Sequence, residues 1–351
     1  MTPPARSFDL LVAGDAVPDV IVGDVAGELT FGQAETLVEH GTLTVGGSSA
    51  IMACGAARLG LRVAFVGVLG DDSAGRFMLH ELTARGIDVS GCVVLAGRAT
   101  GLTVHLVRPG AARDRAMLTS LGCVGELTAE MVRDALARSG EGDASARPIG
   151  HLHVGSFYLL PKLAPDLAGL FAEVRRVGGT TSLDTQGDWQ GLWQGGLHEA
   201  LRETDVFLPN RDEARAVAAN LGAAPVGASG APVGASGAPD GAPGATDETL
   251  LSALAALGPL PVVKCGAEGA VSLDRAALVR VGTLPGAPVD TIGAGDSFDA
   301  GFVYGHLQGW PVARSLALAT ACGSLSTRAA GGVAAQPTLD EALAAAPPAG
   351  T

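Results

Sequence analysis

What most limits the fold of this chain is a rhythm of short apolar runs and amphipathic segments, nearly every one closed by glycine. "FDLLVAG" is apolar enough for a buried strand ending at Gly14, and "GSSAIMACGAARLG" follows as a helix that stops on Gly60. "RVAFVGVLGDD" reads as the next buried strand and "SAGRFMLHELTARG" as the next helix. Farther along, "LAGLFAEVRRVG", "TTSLD", "LHEALRET", "DVFLPN" and "RDEARAVAANLG" repeat the alternation. Parallel strands need a crossover long enough to hold a helix, so this order predicts a mostly parallel sheet covered by helices.

Two stretches break the rhythm. Residues 20–45 and 93–118 are rich in β-formers and offer no good helix. They predict either a small separate sheet, a flap over a site, or ordinary surface hairpins. A third stretch, 223–247, is Pro/Gly/Ala-rich and repeats Ala224–Gly230 as Ala231–Gly237. It holds too little apolar surface to offset its ordering entropy and is expected to be a disordered insertion. A last helix is expected over "PVARSLALATACGSLSTRAAG".

The net charge of −13 argues against nucleic acid as a partner, because so acidic a surface repels phosphate backbones. It leaves small anions open, since these bind through local amides. The five scattered cysteines suggest neither a disulfide framework nor a zinc site. With no secretory signal and no apolar run of membrane-spanning length, the expectation is a cytoplasmic protein without membrane contact.

The segment "VDTIGAGDSFDAGFVYG", Val289 to Gly305, puts bare backbone beside a carboxylate. A helix beginning there would turn the amides of Gly293 to Asp296 toward one point, where they could hold a phosphoryl group. Asp296 at the mouth of such a hole makes sense as a base that takes a proton from an attacking hydroxyl. By residue type alone the commoner role is the N-cap of a tight strand-to-helix turn, since helix caps far outnumber catalytic aspartates. "DVFLPNRDEA" sets Asn210 at a strand end and Glu213 one turn into a helix. Both could reach a ligand beyond the carboxyl edge of the sheet, or simply form a capping box.

Taken in order, these segments resemble the ribokinase-like (PfkB) carbohydrate kinases from about Phe8 to about Pro337. "GGSSAIMACGAARLGLRVAFVGVLGDDSAGRFM" is similar to that family's first signature and "DTIGAGDSFDAGF" to its second. "PNRDEA" matches its N-x-x-E element, and "TGLTV" and "VVKCGAEGAV" stand where the family has its T-G and G-x-x-G segments. The resemblance implies a single three-layer α/β/α kinase domain with a mostly parallel central sheet. Its core would span about 8–19, 46–92 and 119–337, under a small β-sheet lid from 20–45 and 93–118. It implies an ATP-dependent sugar kinase with Asp296 as general base and Gly293, Ala294 and Gly295 as anion hole. Asp19, Gly46 and Gly47 would line the sugar pocket. Asn210 and Glu213 would hold Mg²⁺ and phosphates through water, and Lys264, Gly266 and Gly269 would border the nucleotide. Asp290, with carbonyls near Arg328–Gly332, falls where many members hold a potassium ion, and the lid often dimerises in the family.

One departure bears on the substrate. Ile51 stands where ribokinase has an asparagine that grips sugar hydroxyls, which makes ribose itself doubtful. Met52, Phe157 and Trp189 are candidates for an apolar wall, or for ordinary packing. A nucleoside kinase of the same fold is the nearest alternative, and a non-catalytic sugar or nucleotide sensor the next. A dinucleotide-linked dehydrogenase would carry G-x-G-x-x-G after the first strand, where this chain reads "GDAVPD".

Overall fold

The computed structural model describes residues 8–29, 31–109, 115–138, 149–220 and 246–348. Along the chain, β1 (Leu10–Ala13), β2 (Val17–Gly23) and β3 (His40–Gly46) precede helix α1 (Ser48–Arg58). Next come β4 (Val63–Val66), β5 (Val68–Gly70), α2 (Ser73–Ala84), β6 (Val93–Leu95), β7 (Leu102–Val107) and β8 (Arg115–Ser120). Then follow α3 (Ala129–Arg138), β9 (His151–Val154), α4 (Leu167–Arg176), β10 (Thr180–Leu183), α5 (Leu197–Arg202), β11 (Val206–Phe207) and α6 (Arg211–Asn220). The last part holds α7 (Asp247–Ala255), β12 (Leu260–Lys264), β13 (Ala270–Asp274), β14 (Ala277–Val281), α8 (Ala294–Leu307), α9 (Val312–Ser326) and α10 (Leu339–Ala345).

The main sheet runs β14-β13-β12-β11-β10-β9-β1-β4, parallel from β4 to β12, with β13 and β14 added antiparallel at one edge. Its inner parallel strands are buried on both faces. Leu11 and Ala13 of β1 join a core with α3–α7, while Leu10 and Val12 join a second core with α1, α2, α8, α9 and α10. The pleat sends alternate side chains to opposite faces, so four apolar residues in a row serve two cores. The result is the three-layer α/β/α arrangement.

A second sheet, β3-β2-β7-β8, stands apart from the first. Its boundaries differ from those the sequence suggested. It begins at Val17, so Asp19 lies within it, and it runs on through Ser120. Val93–Leu95 does not join it but pairs with Val68–Gly70 in a two-stranded ribbon. Gly67 marks the break between Val63–Val66 and Val68–Gly70, and a side chain there would lie 2.7 Å from the Gly14 carbonyl oxygen and 2.8 Å from the Phe65 ring, so the close approach requires glycine. The chain steps out of the main sheet at that glycine.

Two further differences concern the later part of the chain. The insertion expected over 223–247 falls outside the described residues except for Thr246 and Asp247, where Thr246 caps α7 by accepting from the Thr249 amide. Helix α10 extends the core past 337. Thr338 and Glu341 form a capping box at its start, and Ala342 is buried in the second core. No described helix is long and apolar enough to cross a membrane.

Candidate active site

A cavity of about 1150 Å³ opens between the second sheet and the ends of the main sheet. Asp19, Gly47, Asn210, Glu213, Lys264, Gly266, Gly269, Gly293, Ala294, Gly295 and Asp296 all line it, although they come from five separate stretches of sequence. Gly46 and Asp290 are not part of that lining.

Gly46 acts through absence. A Cβ there would fall 2.1 Å from the Asp19 carboxyl carbon, so the glycine on β3 leaves the space that the buried Asp19 side chain fills. Gly47 (φ 83) then starts α1 in a backbone conformation that favours glycine, and gives the helix no side-chain cap. Asp15 replaces the cap from a distance. One of its oxygens accepts from the Ser49 amide at 3.0 Å and the Ser156 hydroxyl at 2.8 Å; the other accepts from the Ser48 amide at 3.1 Å. Ser48 is thereby fixed with its hydroxyl donating to Asp296.

Asp296 lies in the first turn of α8, whose N-cap is Gly293 at φ 69. A side chain at Gly293 would lie 2.7 Å from Gly332 Cα, so both conformation and space require glycine. The Ala294 amide leans back on the Thr291 carbonyl at 3.4 Å, while first-turn amides as a class lack intrahelical partners. Burial pushes the Asp296 carboxyl up to about 7; the Ser48 hydroxyl opposes the shift and the Asp184 charge adds to it.

Asn210 and Glu213 form the capping box that their spacing allows. Asn210 Oδ1 accepts from the amides of Asp212 and Glu213, and Glu213 Oε2 accepts from the Asn210 amide at 2.9 Å. Both still line the cavity. Burial, with Asp184 adding to it, pushes the Glu213 carboxyl up to about 7. A buried carboxylate with so weak a hold on its charge suits a place where a bound cation completes the balance.

Lys264 is more tightly engaged than a residue bordering a nucleotide needs to be. Its ammonium lies 2.9 Å from Asp184 and 3.0 Å from Asp299, and a Cβ on Gly295 would be 3.6 Å from Nζ. Burial opposes the charge, but the two carboxylates overcome it and hold the ammonium above its usual range. Burial drives Asp299 well above the carboxylate range, whereas Asp184, despite its own burial, is held below it by Lys264. Gly266 (φ 59) and Gly269 (φ 93) bracket the turn that joins β12 to β13.

The face of the second sheet toward the cavity carries Thr103 and His105 from β7 and Arg115, Met117 and Thr119 from β8. Period-two alternation puts these on one side. His105 Nε2 is 3.2 Å from Asp19 Oδ2, but no hydrogen bond forms in that geometry. Both ring nitrogens are buried without a hydrogen-bond partner among the described residues. Arg115 Nη1 donates to Thr291 Oγ1 at 3.0 Å and lies 3.8 Å from Asp290 Oδ1. Asp290 itself accepts from the Ile292 amide through one oxygen and the Gly331 amide through the other, both at 2.9 Å. Of the candidates for an apolar wall, Met52 and Phe157 are core residues, whereas Trp189 is 70% exposed and lines the cavity, as does Ile51.

Ser48, Asp15, Asp184, Asp299, His105 and Arg115 were not singled out in the sequence. Asp184 directly follows a parallel strand, at the edge where open α/β sheets bind ligands, and Asp299 is one helical turn after Asp296. Those positions were signals. His105 and Arg115 had none, because strand pairing alone brings them to the cavity.

Comparison with known proteins gives the arrangement its context. A 5-dehydro-2-deoxygluconokinase of Geobacillus thermodenitrificans (strain NG80-2) is 26% identical over 317 residues, covering 86% of this chain and 83% of that protein. A putative ribokinase II of E. coli, solved in complex with ATP and Mg²⁺, superimposes with a TM-score of 0.76 at 20% identity, covering 96% of this chain and 98% of that one. A fructokinase double mutant from Vibrio cholerae O395, with fructose, ADP and a potassium ion bound, gives 0.72 at 23% identity, covering 97% and 99%. The model of the pfkB family carbohydrate kinases matches residues 9–339. With the glycine-led helix, its aspartate and the second sheet all within that match, the chain belongs to the PfkB family of carbohydrate kinases, phosphotransferases that act on a sugar hydroxyl.

Proposed function

We propose that the chain transfers the γ-phosphoryl group of ATP to a hydroxyl of a small polyhydroxylated acceptor, with Asp296 as general base. The observation that carries this reading is the state of Asp296. It lies at the tip of α8 beside the glycine amides, with a proton affinity raised to about 7 and its carboxylate already accepting from a hydroxyl, that of Ser48. A base of that strength is divided between its two protonation states at neutral pH, where general-base catalysis works best.

The acceptor occupies the side of the cavity under the second sheet. Asp19 accepts hydrogen bonds from its hydroxyls, and the unpartnered His105 nitrogens gain partners. Asp296 removes the proton from the reacting hydroxyl as its oxygen bonds to the γ-phosphorus and the bond to the leaving ADP oxygen breaks. The α8 amides take up charge on the transferring group, which lies close to where the helix dipole is most positive. Asn210, Glu213 and the turn from Gly266 to Gly269 line the nucleotide side, and Glu213 with Asn210 would hold Mg²⁺ through water. That ion, when bound, neutralises phosphate charge and offsets the Glu213 anion. Most of the catalytic work is positioning and electrostatics.

A screen of ADP release over pentoses, hexoses, keto-deoxy acids and nucleosides tests the reading and selects the acceptor. One sugar or sugar acid should stand out, and Asp296→Asn should lose turnover on it. Preference for a nucleoside would move the enzyme to the alternative acceptor class. Full turnover by Asp296→Asn would remove the proposed base.

A further inference from the structure

Family resemblance places a potassium ion at Asp290, and the groups around that carboxylate do not suit one. Its oxygens face the Ile292 and Gly331 amides at 2.9 Å each, and the Arg115 guanidinium lies 3.8 Å from Oδ1. Asp290 is 7% exposed and the Arg115 side chain 20% exposed, so water screens their charges poorly. A free monovalent cation at Asp290 would stand beside a guanidinium fixed by its own hydrogen bond to Thr291, and like charges so close repel strongly away from bulk water.

We infer that the Arg115 guanidinium, carried in on the second sheet, takes the place of a soluble monovalent cation beside the anion hole, so that phosphotransfer by this chain is indifferent to potassium. The inference rests on the kinase reading above. Asp290 and Thr291 directly precede Ile292 and the Gly293 cap, so a positive charge at this point steadies the backbone that aims the α8 amides. Arg115 does not touch the reacting atoms; it is a positioning residue. Because it belongs to β8 while its partners belong to the loop before α8, its charge arrives only when the second sheet is docked. A dissolved ion would carry no such dependence.

Two measurements on the full chain test this. ADP release with the best acceptor is followed at equal ionic strength in potassium, sodium and tetramethylammonium chloride, with Mg·ATP saturating. The wild type should vary less than about twofold among the three salts. Arg115→Ala should lose about tenfold or more in tetramethylammonium chloride and recover several-fold in potassium chloride, and Arg115→Lys should stay indifferent. Thermal melting of the nucleotide-free protein in the same salts supplies a readout apart from activity. Potassium should raise the melting temperature of Arg115→Ala and leave that of the wild type unchanged. A wild type that requires potassium overturns the inference. So does an Arg115→Ala variant that ignores potassium and only raises the acceptor KM, which would make Arg115 part of the acceptor pocket. If no acceptor supports ADP release, the kinase reading fails while the melting comparison still decides the role of Arg115.

Discussion

At the α8 end of the cavity, main-chain amides and one carboxylate come from a single four-residue stretch, Gly293 to Asp296. At the end under the second sheet, side chains do the lining, and Asp19 and His105 reach it from two different strands. On the proposed function, the contrast follows from what each end handles. A phosphoryl group is the same in every reaction of this kind, so a fixed nest of amides suffices. An acceptor is distinguished by where its hydroxyls lie, which only placed side chains can report. The α8 end should therefore govern turnover and the other end substrate choice.

The sharpest way to break that division is Asp296→Asn. It should lower kcat by about 10²–10⁴-fold while calorimetry finds ATP binding nearly unchanged. An equal loss in ATP affinity would mean that the carboxylate organises the nucleotide site instead. Next in size, Asp19→Ala should cost about 10–100-fold in kcat/KM for the acceptor, mostly in KM, because buried hydroxyls would lose their partner. The ATP KM should not move. A change in kcat alone would blur the contrast between the two ends.

His105→Ala should weaken the acceptor by about tenfold or less, since it removes an imidazole that lies 3.2 Å from Asp19 on the acceptor side of the cavity. The smallest effect expected is on pH. With Asp296 raised to about 7 and active when deprotonated, kcat should climb through pH 6–7 and level off above about 8. Folding stability should run the other way. The folded form holds the Asp296 proton to higher pH than the unfolded chain, so this carboxyl's contribution is full in acid and is lost as pH rises through about 7. Asp296→Asn should flatten both profiles.

Legibility in the sequence divides along the same line. The α/β alternation and the α8 tip could be read because each depends on local spacing: glycine, glycine, carboxylate, then a helix. Even the short "VAFVGVLG" run was legible only as one strand, since the close approach of Gly67 to the Gly14 carbonyl is one that sequence neighbours do not reveal. His105 and Arg115 were silent for the same reason. Their place depends on the registers Val107↔Arg115 and Ile21↔His105, which exist only once the second sheet has formed. Asp299 was hidden differently. One turn past Asp296 it looks like a second active carboxylate, yet Lys264 claims it for the interior.

The handshake between Ser48 and Asp296 has a consequence for the enzyme at rest. With no acceptor present, the carboxylate is already engaged by a hydroxyl that belongs to the protein and, held at the capped start of α1, has little freedom to attack. A stray water entering beside bound ATP must displace that occupant before it can surrender a proton. On the proposed function, an acceptor gripped by Asp19 would arrive with the hold needed to do so, and idle hydrolysis of ATP would stay low until the right alcohol takes the place of the Ser48 hydroxyl.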